Sequence, residues 1–65
     1  MMRWYVVELK EGQSEKVLIS RDTYEAAKHV AVALVDVAQD GDAYEIHHDG
    51  LIKWGPYIKG GKFKP

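Results

Sequence analysis

The side chains of this sequence that are best suited to metal chemistry are three histidines, His29, His47 and His48. Neighbouring residues on a strand point to opposite faces of a sheet, so His47 and His48 do not bind one ion together. His29 falls on the polar side of a predicted helix. Zinc sites are typically built from cysteines or from histidines one helical turn apart, and this chain has no cysteine and no such histidine pair. We therefore predict no metal site and no cofactor.

Nucleophilic and acid–base catalysis are not indicated either. Ser14 and Ser20 have no adjacent base or oxyanion-hole motif, and no glycine-rich loop leads from a strand into a helix. Asp40, Asp42 and Asp49 stand beside glycines or at predicted element ends, where aspartate usually caps or forms turns. We predict no catalytic residues and no enzymatic activity.

Binding chemistry is indicated at the C-terminal end of the chain, where charge is unevenly distributed. Residues 1–50 carry all ten acidic and five basic residues, whereas residues 51–65 carry four lysines and no acidic residue. The predicted binding residues are Lys53, Trp54, Tyr57, Lys59, Lys62, Phe63 and Lys64. Lysines interleaved with aromatic rings suit a nucleic acid, and they suit an acidic protein surface equally well. In a third reading, Trp54 and Tyr57 are core residues and the lysines are only solvated.

The elements that position these residues are four strands and a helix. Runs rich in β-branched and aromatic residues predict strands over 3–10, 16–20, 43–48 and 51–54. Asp49-Gly50 indicates a two-residue hairpin turn between the last two strands. Gly55-Pro56 is expected to end the fourth strand, because proline cannot donate to a ladder. The chain is thus divided into a domain of residues 3–54 and a basic, aromatic arm of residues 55–65.

The helix lies between the second and third strands. Asp22 is the predicted N-cap, Glu25 the matching residue of an acidic capping box, and Gly41 the predicted C-terminal cap. At 100° per residue, one apolar stripe faces the sheet and comprises Tyr24, Ala27, Val30, Ala31, Leu34, Val35 and Ala38. The predicted fold class is α+β: a single antiparallel four-stranded sheet with one helix packed on one face (ββαββ).

Apolar residues outside this stripe predict self-association. Trp4 and Val6 are placed on the outer face of the first strand. On the flank of the helix, Ala33 and Val37 widen the apolar arc, and Val32 stands among the polar positions. A domain of 65 residues has little core with which to cover them. A symmetric homodimer is therefore one expectation.

The longest apolar run, residues 30–35, is far shorter than the roughly 20 residues needed to cross a bilayer. No secretory signal pattern is present near the N-terminus. The expected location is the cytoplasm, with no membrane contact.

Two family resemblances add to this interpretation. Thr23-Tyr24-Glu25-Ala26-Ala27, Gly41, Ile46 and Asp49-Gly50-Leu51-Ile52 resemble a family of small uncharacterised bacterial ββαββ domains. That resemblance covers residues 3–54 and implies a fold without an established activity. Trp4 and the Thr23–Ala27 segment, apart from Tyr24, also resemble plant AP2-type and phage-integrase arm-binding domains, which read DNA from a sheet. Those domains have a third strand before the helix, and this chain does not.

The sequence as a whole predicts a non-enzymatic binding or regulatory protein that acts on another protein. Its small size, its lack of catalytic groups and its wide apolar arc are similar in type to phage-encoded inhibitors of host enzymes. The alternatives are a nucleic-acid-binding module that uses the basic C-terminal segment, and a structural homodimer.

Overall fold

A computed structural model describes residues 3–10 and 12–59 of the chain. Its elements, in chain order, are β1 (Trp4–Leu9), β2 (Lys16–Arg21), α1 (Tyr24–Val37), β3 (Ala43–His48) and β4 (Leu51–Ile58). All strand pairs are antiparallel, and the order across the sheet is β2-β1-β3-β4. The predicted ββαββ arrangement is confirmed.

The core lies between α1 and the two central strands. Val6 of β1 and Ile46 of β3 are fully buried against Ala27 and Ala31 of the helix. Two alanines at this contact let the helix backbone approach the sheet closely, so a larger side chain at Ala31 would have to push the layers apart. The larger partly buried residues around this centre are Trp4, Ile19, Tyr24, Val30, Leu34 and Trp54. The predicted inward stripe of the helix is confirmed from Tyr24 to Val35, whereas its last predicted member, Ala38, lies beyond the helix as an extended C-cap.

The ends of the helix differ from the prediction. Thr23, not Asp22, is the N-cap: its backbone is extended and its hydroxyl accepts a hydrogen bond from the Ala26 amide at 3.2 Å. Asp22 instead forms an ion pair with Arg3 at 2.7 Å. The helix ends at Val37, and the extended Ala38 stops it without a left-handed residue. Gly41, with φ of 95°, serves the turn into β3.

The prediction that Gly55-Pro56 ends the fourth strand is wrong. β4 continues through a cis Gly55-Pro56 peptide to Ile58, and backbone hydrogen bonds of Lys59 with Gly41 and Asp42 close its end. Proline is tolerated in an outer strand or at a bulge, where a missing amide donor costs the ladder least. Residues 55–58 are therefore part of the sheet. The remainder of the predicted arm, from residue 60 onward, lies outside the described residues.

The hairpin between β3 and β4 has the predicted two-residue turn. Asp49 and Gly50 both have positive φ, at 54° and 77°. That is the backbone combination which a tight turn of this type requires and which Asp-Gly sequences favour.

Candidate functional site

A shallow apolar groove lies between the C-terminal half of α1 and the distal half of β4. Its volume is about 90 Å³, and its lining residues are Val32, Val35, Asp36, Trp54 and Tyr57. Trp54 and Tyr57 form one wall, with ring centroids 5.6 Å apart and planes 2° from parallel. Trp54 also packs against the core cluster, so contacts with the core hold this wall in place.

A register irregularity in β4 brings the two rings together. Residues three apart on a regular strand point to opposite faces. In this sheet, Trp54 is opposite Ile46 and Tyr57 is opposite Tyr44, with a register shift between the two pairs. One extra residue in β4 therefore turns Trp54 and Tyr57 to the same, helix-bearing side of the sheet.

Gly55 occupies the strand at this irregularity. Its φ is 99°, and a Cβ at this position would lie 2.6 Å from the carbonyl oxygen of Tyr44. Only glycine fits both the backbone conformation and the close approach to β3. The shape of the aromatic wall thus depends on this residue.

The rim of the groove is apolar and open to solvent. Val32 is 45% exposed, and Val37, at the end of the same helix, is 81% exposed. Earlier on β4, Leu51 is exposed on the helix-bearing face, opposite His48. Asp36 is the acidic residue of the lining, and Lys59 closes the far end by donating from Nζ to the Asp36 carbonyl oxygen at 3.0 Å. A cation at a helix C-terminus is favourable for the helix dipole.

The predicted binding residues are only partly brought together. Trp54 and Tyr57 form the groove wall, and Trp54 is at the same time a core residue. Lys59 lies at the end of the groove, and Lys53 is exposed on the strand. The other three predicted residues, Lys62, Phe63 and Lys64, lie outside the described residues.

The residues predicted for self-association divide into two groups. Val32, Ala33 and Val37 are exposed on the helix. Placing Val6 and Trp4 on an outer face was wrong: Val6 is fully buried beneath the helix and Trp4 packs against the same cluster. Val6 lies opposite Ile46 of β3, and α1 packs on the face of the sheet that these two residues share.

The aromatic residues at the opposite end of the helix-bearing face have structural partners. Trp4 stacks on His48 with a centroid separation of 3.7 Å and contacts Tyr24 edge-on at 5.3 Å. His48 Nδ1 lies 3.0 Å from the carbonyl oxygen of Arg3. His48 thus contributes to packing. His29 is exposed on the helix.

His47 lies on the other, helix-free face of the sheet, together with Glu45. Its Nε2 is 2.7 Å from Glu45 Oε1, and the exposed Glu15 approaches the same pair from the segment before β2. The sequence argument considered histidine pairs alone and missed this cluster. The available signal was the Glu45-Ile46-His47 spacing, since residues two apart on a strand share a face.

Tyr44 is buried beside carboxylates, and its pKa is raised. Burial raises the pKa of its phenol, and the nearby carboxylates of Glu8 and Asp42 raise it further. The hydroxyl lies 3.4 Å from Glu8 Oε2. Tyr44 is therefore a neutral hydrogen-bond donor at physiological pH.

No family model matches this chain, and neither curated proteins nor solved structures gave a significant match. The resemblance to small bacterial ββαββ domains therefore stays a prediction. Within the described part of the chain, no helix has the length and apolar character needed to cross a membrane.

Proposed function

We propose that this protein is a non-enzymatic binding protein that recognises another protein through the groove between α1 and β4. The observation that supports this most is the solvent-exposed apolar rim beside the stacked Trp54–Tyr57 pair. Contacts between proteins are dominated by a few aromatic and apolar anchors that become fully desolvated. A groove of about 90 Å³ accommodates one side chain of a partner rather than a metabolite.

The helix-bearing face of β4 extends this surface. Leu51 is exposed earlier on this strand and lies opposite His48, on the same face of the sheet as the groove. A partner segment that lies along this face and inserts an apolar side chain beside Tyr57 fits this arrangement. Regulation of the partner, including inhibition, would follow from occupying its surface.

The test is quantitative affinity capture with wild-type protein and two matched variants. Val32→Lys places a charge on the groove rim, at a helical position where lysine is well tolerated. Val17→Lys places the same charge on β2, at the opposite edge of the sheet, where the valine is similarly exposed. We expect wild type and Val17→Lys to retain the same partner and Val32→Lys to lose it, with all three melting cooperatively.

Equal capture by Val32→Lys and wild type would refute the groove as the binding surface. The alternatives give different results with the same three proteins. Nucleic-acid binding requires retention on heparin or DNA that weakens steeply as salt increases. A homodimer requires twice the monomer mass by light scattering at micromolar concentration.

A further inference from the structure

The helix-free face of the sheet carries a cluster of metal-ligand groups that is separate from the groove. One carboxylate oxygen of Glu15, one of Glu45 and one ring nitrogen of His47 all lie within 4.8 Å of one another. Glu45 and His47 come from the same central strand, and Glu15 comes from the segment just before the edge strand β2. Strand pairing thus brings together residues that are 30 positions apart in the chain.

The spacing is close to what a tetrahedral cation requires. Ligand bonds of about 2.0–2.1 Å place neighbouring ligand atoms roughly 3.3 Å apart. The Glu45–His47 pair, at 2.7 Å, has to open by about 0.6 Å, and Glu15, which lies within 4.8 Å of both, has to close by at most about 1.5 Å. Glu15 is exposed and lies between the turn at Gly12 and the first residue of β2, so it has room to move.

The environment also favours a cation. Glu45 is only 5% exposed, and burial of a carboxylate is costly unless an opposite charge compensates for it. Within residues 3–10 and 12–59, the ion pairs of lysine and arginine are made with other acids, and neither Glu15 nor Glu45 is among their partners. His47 is the residue that contacts Glu45, and Glu15 brings a second carboxylate to the pair.

The ligand types narrow the choice of ion. Imidazole nitrogen binds zinc and similar transition metals better than it binds magnesium or calcium, which prefer all-oxygen sites. Two carboxylates and one imidazole supply three protein ligands and leave a fourth position for water. The site is accessible from solvent, because the residues opposite His47 on both neighbouring strands, Tyr5 and Ile52, are exposed.

We propose that Glu15, Glu45 and His47 form a binding site for a divalent transition-metal ion of the zinc type. The proposal rests on the geometry of this face and is independent of the groove. A bound ion would tie the segment before β2 to the central strand β3 across β1. The site would therefore stabilise the edge of the sheet that lies farthest from the groove.

The experiment is zinc titration of the full chain by calorimetry, together with ¹⁵N NMR of the histidine rings. We expect one equivalent to bind to wild type and to shift the Nε2 resonance of His47, while the rings of His29 and His48 stay unchanged. Thermal stability should increase with zinc concentration, because the ion binds the folded state preferentially. Glu15→Gln should weaken binding by about tenfold or more, since it removes a charged ligand from an exposed position.

The matched control variants distinguish zinc binding at this site from nonspecific zinc binding to an exposed histidine. His29→Gln removes an exposed imidazole on the helix and should leave the affinity unchanged. His47→Gln should abolish binding, and Glu15→Gln gives the decisive result if His47→Gln does not fold. Absence of saturable binding below millimolar zinc, unchanged affinity in Glu15→Gln, or loss of binding in His29→Gln would each overturn the proposal.

Discussion

Replacement of Gly55 by alanine tests whether β4 passes through the Gly55-Pro56 dipeptide as the structure has it. Two costs are expected. An L-residue at φ of 99° lies outside the comfortable backbone regions, which costs about 1–2 kcal/mol. The new Cβ would also lie 2.6 Å from the Tyr44 carbonyl oxygen and 3.1 Å from the Glu45 Cα, both of which are backbone atoms.

The second cost follows from how far the strands must separate. Real Cβ atoms essentially never approach another heavy atom more closely than 3.0 Å, so β3 and β4 have to move apart by at least 0.4 Å. Forced displacement of this kind costs about 1–3 kcal/mol. The sum, roughly 2–5 kcal/mol, is a large share of the roughly 3–10 kcal/mol expected for a domain of 65 residues. Each kcal/mol lowers the melting temperature of such a domain by about 4–8 °C.

Gly41→Ala is the matched control. Gly41 has nearly the same φ, 95°, but a Cβ there meets nothing within 4 Å. The control should therefore incur only the backbone cost. Melting followed by circular dichroism, together with urea unfolding, should find Gly55→Ala less stable than Gly41→Ala by about 1–3 kcal/mol. Equal stability of the two variants would contradict the close approach of Gly55 to the β3 backbone, and with it the placement of Tyr57 beside Trp54.

Three further predictions concern the helix and the sheet. Thr23→Ala should lower the free energy of unfolding by about 1 kcal/mol, because the N-cap hydrogen bond is lost. Asp22→Ala should lower it by less, because the ion pair of Asp22 with Arg3 is exposed. The reverse order in urea unfolding would show that Asp22 is the cap. Leu34→Ala should lower the free energy of unfolding by about 2 kcal/mol, since Leu34 packs at the edge of the core. A melting temperature within a few degrees of wild type would mean that a different side of the helix faces the sheet. The phenol of Tyr44 should ionise above its ordinary pKa of 10.0, because burial and Glu8 favour the neutral form. The contribution of the neutral phenol to stability is therefore fully present below pH 10 and is lost as the pH rises through the higher folded-state pKa. The difference in phenolate absorbance between wild type and Tyr44→Phe measures the pKa of Tyr44. A value at or below 10 would contradict the prediction.

Local patterns in the sequence predicted most of the elements. The 3.6-residue period identified the buried stripe of α1, including Ala27 and Ala31, and Asp49-Gly50 identified the hairpin turn. These features depend on interactions between residues that are close in the chain, so periodicity and turn chemistry reveal them. The cap was assigned one residue too early, because Asp22 and Thr23 are both good capping residues and only the backbone conformation decides between them.

Other features depend on which strands become neighbours. Glu15 meets Glu45 and His47 only because β2, β1 and β3 lie side by side, and no local pattern contains that information. The groove likewise requires a register shift between β3 and β4. The sequence did not reveal this shift, because the Gly55-Pro56 dipeptide is typical of the end of a strand, whereas β4 continues through it.

β1 shows most clearly which features the sequence determines and which features the tertiary structure decides. Alternation alone separates Val6 from Val7, but both faces of this strand are partly apolar, so alternation does not say which of them is covered by the helix. The sequence by itself thus determined the strands, the helix and its inward stripe. Tertiary structure decided which face of the sheet α1 covers, and therefore which side chains remain on the surface. The reason is that the covered face is selected when the whole helix packs against the paired central strands.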